Sequence, residues 1–362
     1  MKSLNIGIVS VGGAGRAHIA RFRRNPNSRV RAIFDPKKKN LRDFLWVKEK
    51  GGYVTTDYEK ILNDKLVDII SICSPDHTHI DYAIAAIKAG KHVLVEKPLA
   101  TSIEQCENLQ KIISNSDRIF GVHHQMRYVP CFIQARNSVA KGEIGLPFVL
   151  EADYIHDMRE RASLYDNWRI ASQYPQRIAL GASSHAIDLI RWMLNDEVIE
   201  VFSYATHIGW SKYPDEDTVM TILKFNNGAI GKVLSTVACQ RPQMNSLVIY
   251  GTEGCIVNNL LIDKLGSKKF IYIQKNGSIK RKIFNQLINQ LLRKVKFTQN
   301  YPFSIYEHEP ACQALIDNFL CCVQEGKKFS INFSEGAYSV QICLASIRSY
   351  EEGRPIQVKR MF

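Results

Sequence analysis

The chain has 362 residues, 45% of them hydrophobic, and a formal net charge of +13. That length suits about two domains of roughly 150 residues each, and no apolar run reaches the roughly 18 residues of a membrane span. Nine cysteines, an odd number with no C-x-x-C pair, argue against a disulfide framework or a zinc site. They read instead as reduced thiols in a cytoplasmic protein. A basic protein attracts anions such as nucleotides, sugar acids or nucleic acid. Here the excess gathers partly in 268–296 and reads as a solvated surface, so no nucleic-acid partner is expected.

The start, MKSLNIGIVSVGG, carries one Lys and no small-residue cleavage site before Arg16. It therefore reads as a first strand and not as a signal peptide. A Gly-rich turn and a helix over about 15–24 follow. RVRAIFD is a second strand ending on Asp35, DIISICS a third and HVLVE a fourth. DYAIAAIKAG carries a helical apolar stripe that Gly90 should stop. Strand, helix and strand at this spacing imply a parallel sheet with right-handed crossovers. Thr101 to Glu104 has the spacing of a capping box, and IFGVHHQM closes the first domain as a strand.

After about residue 123 the texture changes. PFVLEADYIHDM, VIEVFSYATHIGW, DTVMTILKFNNGAIGKVLSTVAC and SLVIYGTEGCIV read as longer, partly alternating strands, with NNG at 226–228 as a hairpin turn. They predict an antiparallel sheet packed against a few helices. Ser334 is the expected cap of a last helix that runs through SYEE to Gly353. The expected division is 1–122 and 123–362.

SVGGAGRAH follows the first strand and opens a helix. In that context backbone N–H groups and a helix N-terminus hold a pyrophosphate, with Gly12, Gly13, Ala14 and Gly15 as the binding residues. Ser10 stands where the fingerprint has its first glycine. It costs about 1 kcal/mol if the turn needs positive φ, and little otherwise. Asp35 lies 20 residues after Gly15, where a carboxylate binds ribose hydroxyls and repels a 2′-phosphate. That favours NAD. Lys37, Lys38 and Lys39 offset its charge, so NADP stays open.

SVGGAGRAH, SPDHTH, AGKHVLVEKPLA and HAIDLIRWM, in this order, resemble the Gfo/Idh/MocA oxidoreductase family, and the resemblance covers nearly the whole chain. It implies an α/β protein with an N-terminal Rossmann domain. A C-terminal α/β domain with a large, mostly antiparallel open sheet would follow. It also implies transfer of a hydride between NAD(P) and a hydroxyl or keto carbon of a sugar, polyol or nucleotide-linked sugar. Homodimers or homotetramers through that sheet are implied too.

The resemblance also explains why the buried strand HVLV ends on Glu96, Lys97 and Pro98. It places Lys97 beside the nicotinamide and the reacting hydroxyl. A free Lys is too basic to accept a proton at neutral pH, and burial would lower its pKa. Lys97 could then act as the base in oxidation and the acid in reduction. Glu96 points the other way and would orient the turn or contact the cofactor. A cis bond before Pro98 is implied as well. His185 matches the family histidine, but Gly181 stands where many members carry an Asp one helical turn earlier. Asp157 or Asp188 could replace it, or Lys97 and His185 could suffice.

By resemblance, Ser74, Pro75, His77, Trp168 and Arg169 line the cofactor. His123, His124, Gln125 and Arg127 follow the last parallel strand, where ligands of open α/β sheets gather. Gln125 is expected on the cofactor. Arg127, Tyr154, His156, Asp157, Arg159 and Asp188 are expected on the substrate. No metal site is expected.

KRKIFNQLINQLLRKVKF at 280–297 forms an amphipathic basic stripe. It reads as a cover for the sheet or a subunit contact, with an acidic membrane surface as the sharper alternative. Two other functions fit the motifs. One is a lyase, epimerase or glycosidase that uses NAD transiently. The other is a non-catalytic dinucleotide-binding sensor.

Overall fold

The computed structural model describes residues 3–159, 168–170, 173–174, 176–240, 243–271 and 308–362. The amphipathic stretch 280–297 lies outside the described residues.

The first third of the chain is built on a six-stranded parallel sheet. Its strands are β1 (Leu4–Val9), β2 (Ser28–Phe34), β3 (Tyr53–Thr55), β4 (Ile69–Ile72), β5 (His92–Val95) and β6 (Phe120–Val122). Their order is β3-β2-β1-β4-β5-β6, the doubly wound arrangement that puts a ligand crevice at the strand C-termini beside β1 and β4. The central strands are apolar on both faces because helices cover both. Ile69, Ile70, Ile72, Val93, Leu94 and Val95 are wholly buried.

The helix after β1 runs Gly13–Arg24, and the predicted stripe between β4 and β5 forms His79–Lys88. Gly90 follows at φ +73°, a left-handed stop that glycine adopts without steric cost.

Three local readings shift. The helix Ile103–Ile113 is capped by Ser102, whose hydroxyl accepts from Gln105 N–H, so the capping pattern is Ser102/Gln105 and not Thr101/Glu104. Asn332 and not Ser334 caps the last helix, Phe333–Glu352. These shifts of one and two residues rest on which side chain meets the exposed N–H groups, and neighbouring polar residues leave that open in sequence. IFGVHHQM gives only the short β6, and Gln125–Tyr128 is a 3-10 turn. Missing from the sequence reading is β3, a three-residue edge strand too short to show a period.

The second sheet has nine strands, in the order β14-β13-β12-β11-β7-β10-β9-β8-β15. In chain order they are β7 (Pro147–Ile155), β8 (Val198–Thr206), β9 (Thr218–Phe225), β10 (Ile230–Thr236), β11 (Met244–Gly251), β12 (Gly254–Val257), β13 (Leu260–Asp263), β14 (Lys268–Phe270) and β15 (Ile356–Gln357). All pairs are antiparallel except β10 with β7. The predicted NNG turn joins β9 to β10, with Gly228 at φ +89°. One face packs through Leu223, Phe225, Val233, Leu247 and Ile249 against the core.

The last helices return to the parallel sheet. Val122 N donates to Ile331 O at 2.9 Å, and Gln313 of helix His308–Glu325 donates to Arg21 O. A Cβ on Gly121 would sit 2.9 Å from both Phe319 and Phe329, so only glycine lets them pack on β6.

Candidate active site

The Gly-rich turn adopts the predicted tight form. Ser10 sits at φ +67°, so the missing glycine is felt: a Cβ there strains the backbone by about 1 kcal/mol. Gly15 is forced, because a Cβ would lie 2.0 Å from Ser10 O. Gly12 and Gly13 face open space, with nothing within 4 Å of a Cβ. An open glycine cradle at the start of the helix Gly13–Arg24 fits a dinucleotide pyrophosphate.

Asp35 is buried directly after β2. It accepts from Val11 N at 3.0 Å, Lys37 N at 2.9 Å and Asn40 Nδ2 at 2.9 Å. A carboxylate offers about four lone-pair sites. Asp35 therefore braces the turn and retains capacity for one further donor.

The strand-end charges of HVLVEKPLA find partners on opposite sides. Glu96 Oε1 lies 2.9 Å from His18 Nε2 and 3.2 Å from His123 Nδ1, behind the sheet end. Burial pushes the Glu96 pKa up, but His123 and His18 hold it well below the usual carboxylate range. These three groups converge within 4.8 Å, a grouping the sequence reading did not foresee. The His18 contact has hydrogen-bond length, and His18 Nδ1 is engaged by Ser71 at 2.8 Å.

Lys97 turns the other way, and its Nζ donates to Gly181 O at 2.7 Å. The Lys97–Pro98 peptide is cis. Burial lowers the Lys97 pKa, against the attraction of Asp76 and Glu96.

His185 opens the helix Ser184–Leu194, just after a π-helical turn over Ala179–Ser183. Such widened turns recur at functional sites because they reorient backbone groups. Here the turn contains the Gly181 carbonyl that meets Lys97. His185 is 3% exposed, and its ring stacks on Tyr154 with centroids 5.0 Å apart. Burial, with Lys97 and His124 nearby, holds its pKa well below the usual value, so the ring is neutral. Its buried Nδ1 has no hydrogen-bond partner among the described residues. Tyr154 Oη lies 3.2 Å from His156 Nδ1.

Several sequence candidates lie elsewhere or are engaged. Arg127 grips Asp188 with both arms, at 2.8 and 2.6 Å, and reaches Glu335 at 2.5 Å. Asp188 has no exposed surface, and although burial pushes its pKa up, Arg127 and His124 bring it to about 2. This buried pair ties the 3-10 turn Gln125–Tyr128 to two helices, so neither partner offers substrate a free charge. Asp157 and Arg159 likewise hold each other through two 2.8 Å bonds. Asp157 and Asp188, offered as replacements for the acid missing at 181, are thus both committed to arginines. Gln125 donates to His308 Nε2 at 3.0 Å.

The cofactor candidates are held by local contacts. Ser74 accepts from Thr78 Oγ1 at 2.8 Å, and buried His79 spans the carbonyls of Ser74 and Pro98. Pro75 precedes the short turn Asp76–Thr78. His77 stacks on Tyr174 at 4.3 Å and meets Trp168 edge-on. The Arg169 guanidinium lies over Trp168 at 4.6 Å and donates to Gln176 Oε1 at 3.1 Å. Gln176 Nε2 in turn donates to Asp76 Oδ2 at 2.5 Å. Sequence reasoning passed over Asp76 although SPDHTH contains it. Nothing in the sequence signals Gln176.

A doubly wound sheet, a glycine cradle and a part-buried Lys97 near buried His185 define a dinucleotide-dependent oxidoreductase. The chain belongs to the Gfo/Idh/MocA family. Residues 4–124 match its NAD-binding Rossmann fold, and residues 132–257 match its C-terminal domain.

The chain is 27% identical over 289 residues to levoglucosan dehydrogenase of Pseudarthrobacter phenanthrenivorans, covering 72% of this chain and 74% of that protein. It is 24% identical to myo-inositol 2-dehydrogenase of Thermotoga maritima, covering 99% of each. Among solved structures, levoglucosan dehydrogenase in complex with NADH and L-sorbose superposes with a TM-score of 0.80 at 21% identity, over 100% of both chains. At that identity the superposition speaks for the fold. The expected family, α/β fold and NAD-binding Rossmann domain therefore hold.

Proposed function

We propose that this protein is an NAD-dependent dehydrogenase of a ring polyol, with a sugar or an inositol as substrate. The observation that carries the reading is Lys97, set at the end of β5 with its Nζ 2.7 Å from Gly181 O and a buried neutral His185 nearby. Relatives named for levoglucosan and inositols support the substrate class.

When bound, NAD+ supplies the hydride acceptor. Lys97, its basicity lowered by burial, takes the hydroxyl proton as the carbinol C–H bond breaks and the carbonyl forms. The Gly181 carbonyl orients the amine. His185 offers an unfilled buried nitrogen to the substrate oxygen or its proton. Asp35 and the turn Gly12–Gly15 would hold the dinucleotide, and Trp168, Arg169 and His77 would line it.

We also propose that the outer face of the second sheet joins copies of this chain. Tyr204, Met220, Ile222, Ile230 and Tyr250 are 39–69% exposed there. The strand register puts them on one face around the Lys232–Glu151–Asp153 ion pairs. Light scattering that returns a monomer mass would contradict this. The nine cysteines form no disulfide among the described residues, which favours the cytoplasm. No helix among the described residues is long and apolar enough to cross a membrane.

The test is a titration with NADH and then NADPH by nicotinamide fluorescence, followed by an inositol, anhydrosugar and aldose panel. Tight NADH binding with turnover of a panel member is expected. Binding without turnover of any polyol would refute the dehydrogenase reading.

A further inference from the structure

Gly181 stands where the family resemblance places an acid, and the structure shows what fills its space. A Cβ on residue 181 would lie 2.4 Å from Gln176 Cδ, 2.7 Å from Cγ and 2.8 Å from Oε1. The Gln176 side chain occupies that volume. It is clamped there: its N–H donates to Arg169 O at 3.0 Å, and its carbonyl accepts from Tyr213 Oη at 2.6 Å. Its own amide reaches Asp76 at 2.5 Å. Asp76 is 5% exposed, on the turn just after β4. The backbone of the same residue 181 receives Lys97 Nζ. Gly181, Gln176, Asp76 and Lys97 therefore form one connected group. Asp157 and Asp188 are held by arginines of their own.

We propose that Asp76, held in place by Gln176, is the carboxylate that positions and charge-balances Lys97, doing the work an acid at position 181 would do. Asp76 and Gln176 are positioning residues, and the proposal rests on the dehydrogenase reading only for its catalytic meaning. The charged or titratable groups around Lys97 are Asp76, Glu96, Arg169, His124, His185 and Cys343. Glu96 is shared with His18 and His123, which leaves Asp76 as the carboxylate on the Gly181 side. A nearby carboxylate favours the ammonium form.

The experiment is trace acylation of Lys97 with acetic anhydride across pH, read by peptide mass spectrometry on the full-length protein. It needs no turnover, so it decides the proposal even if the polyol panel fails. The midpoint for Lys97 is expected to fall by about one pH unit in Asp76→Asn. Gln176→Leu keeps the bulk but drops the bond to Asp76, and should shift the midpoint the same way by less. With a substrate in hand, both variants should move the rising limb of the pH–kcat profile to lower pH, which a merely structural loss would not do. An unchanged Lys97 midpoint in Asp76→Asn overturns the proposal. Should that variant fail to fold, an unchanged midpoint in Gln176→Leu does so.

Discussion

The two sides of the Lys97–Gly181 hydrogen bond are built in different ways. Lys97 ends a buried parallel strand, where Val93, Leu94 and Val95 leave the backbone no freedom. Gly181 sits in a π-helical turn, and its neighbour Gln176 comes from irregular chain. Strand ends of open α/β sheets are rigid platforms and recur as motifs. The facing segment holds its shape through particular side-chain bonds, so a substitution there can be absorbed by another. Motif residues on the first side, and a glycine backed by Gln176 on the second, are the pattern seen here.

The largest expected effect tests what anchors the second side. Arg127→Leu leaves buried Asp188 without its guanidinium partner, and breaking such a buried pair costs about 3–5 kcal/mol. Urea denaturation should show that loss, and a shift near zero would mean the ion pair does not hold the helices together. Acid should do the same by titration. The Asp188 pKa is depressed in the fold to about 2. Its contribution is present above the unfolded carboxylate value near 4 and is lost as pH falls through about 2. Stability of wild type should fall across that window more steeply than that of Arg127→Leu.

Gly181→Asp comes next. Its side chain collides with Gln176, and overpacking costs about 1–3 kcal/mol. Activity should drop as well, and Gln176→Ala in the same chain should recover part of both losses. If the double variant is no better than the single, Gln176 is not what excludes an acid from position 181. The smallest effect is on the first side: Ser10→Gly relieves a residue at φ +67° and should stabilise by about 1 kcal/mol, read as a higher Tm. A destabilised Ser10→Gly would mean that the serine hydroxyl offsets its own strain.

The same contrast explains what could be read from sequence. Five of the six parallel strands, the Gly-rich turn, Asp35 and Lys97 were legible because each follows from a local apolar run or a motif. The strand alternation that sends Glu96 away from Lys97 was legible too, but not that His18 and His123 would meet it. Those partners are 78 and 27 residues away in sequence. Arg127 and Asp188 looked like cleft residues because they stand at a strand end and on the helix that carries His185. Their mutual burial depends on how two helices pack, which no local pattern encodes. Gln176 has no signature at all, since its role comes from the volume left by a glycine five residues on.

The central claim is that Lys97 moves the substrate proton while taking little part in cofactor binding. The most direct test is Lys97→Ala, assayed for polyol oxidation beside an NADH titration of the same preparation. Turnover is expected to fall about 10²–10⁴-fold, with NADH affinity close to wild type. Turnover within a fewfold of wild type would contradict it.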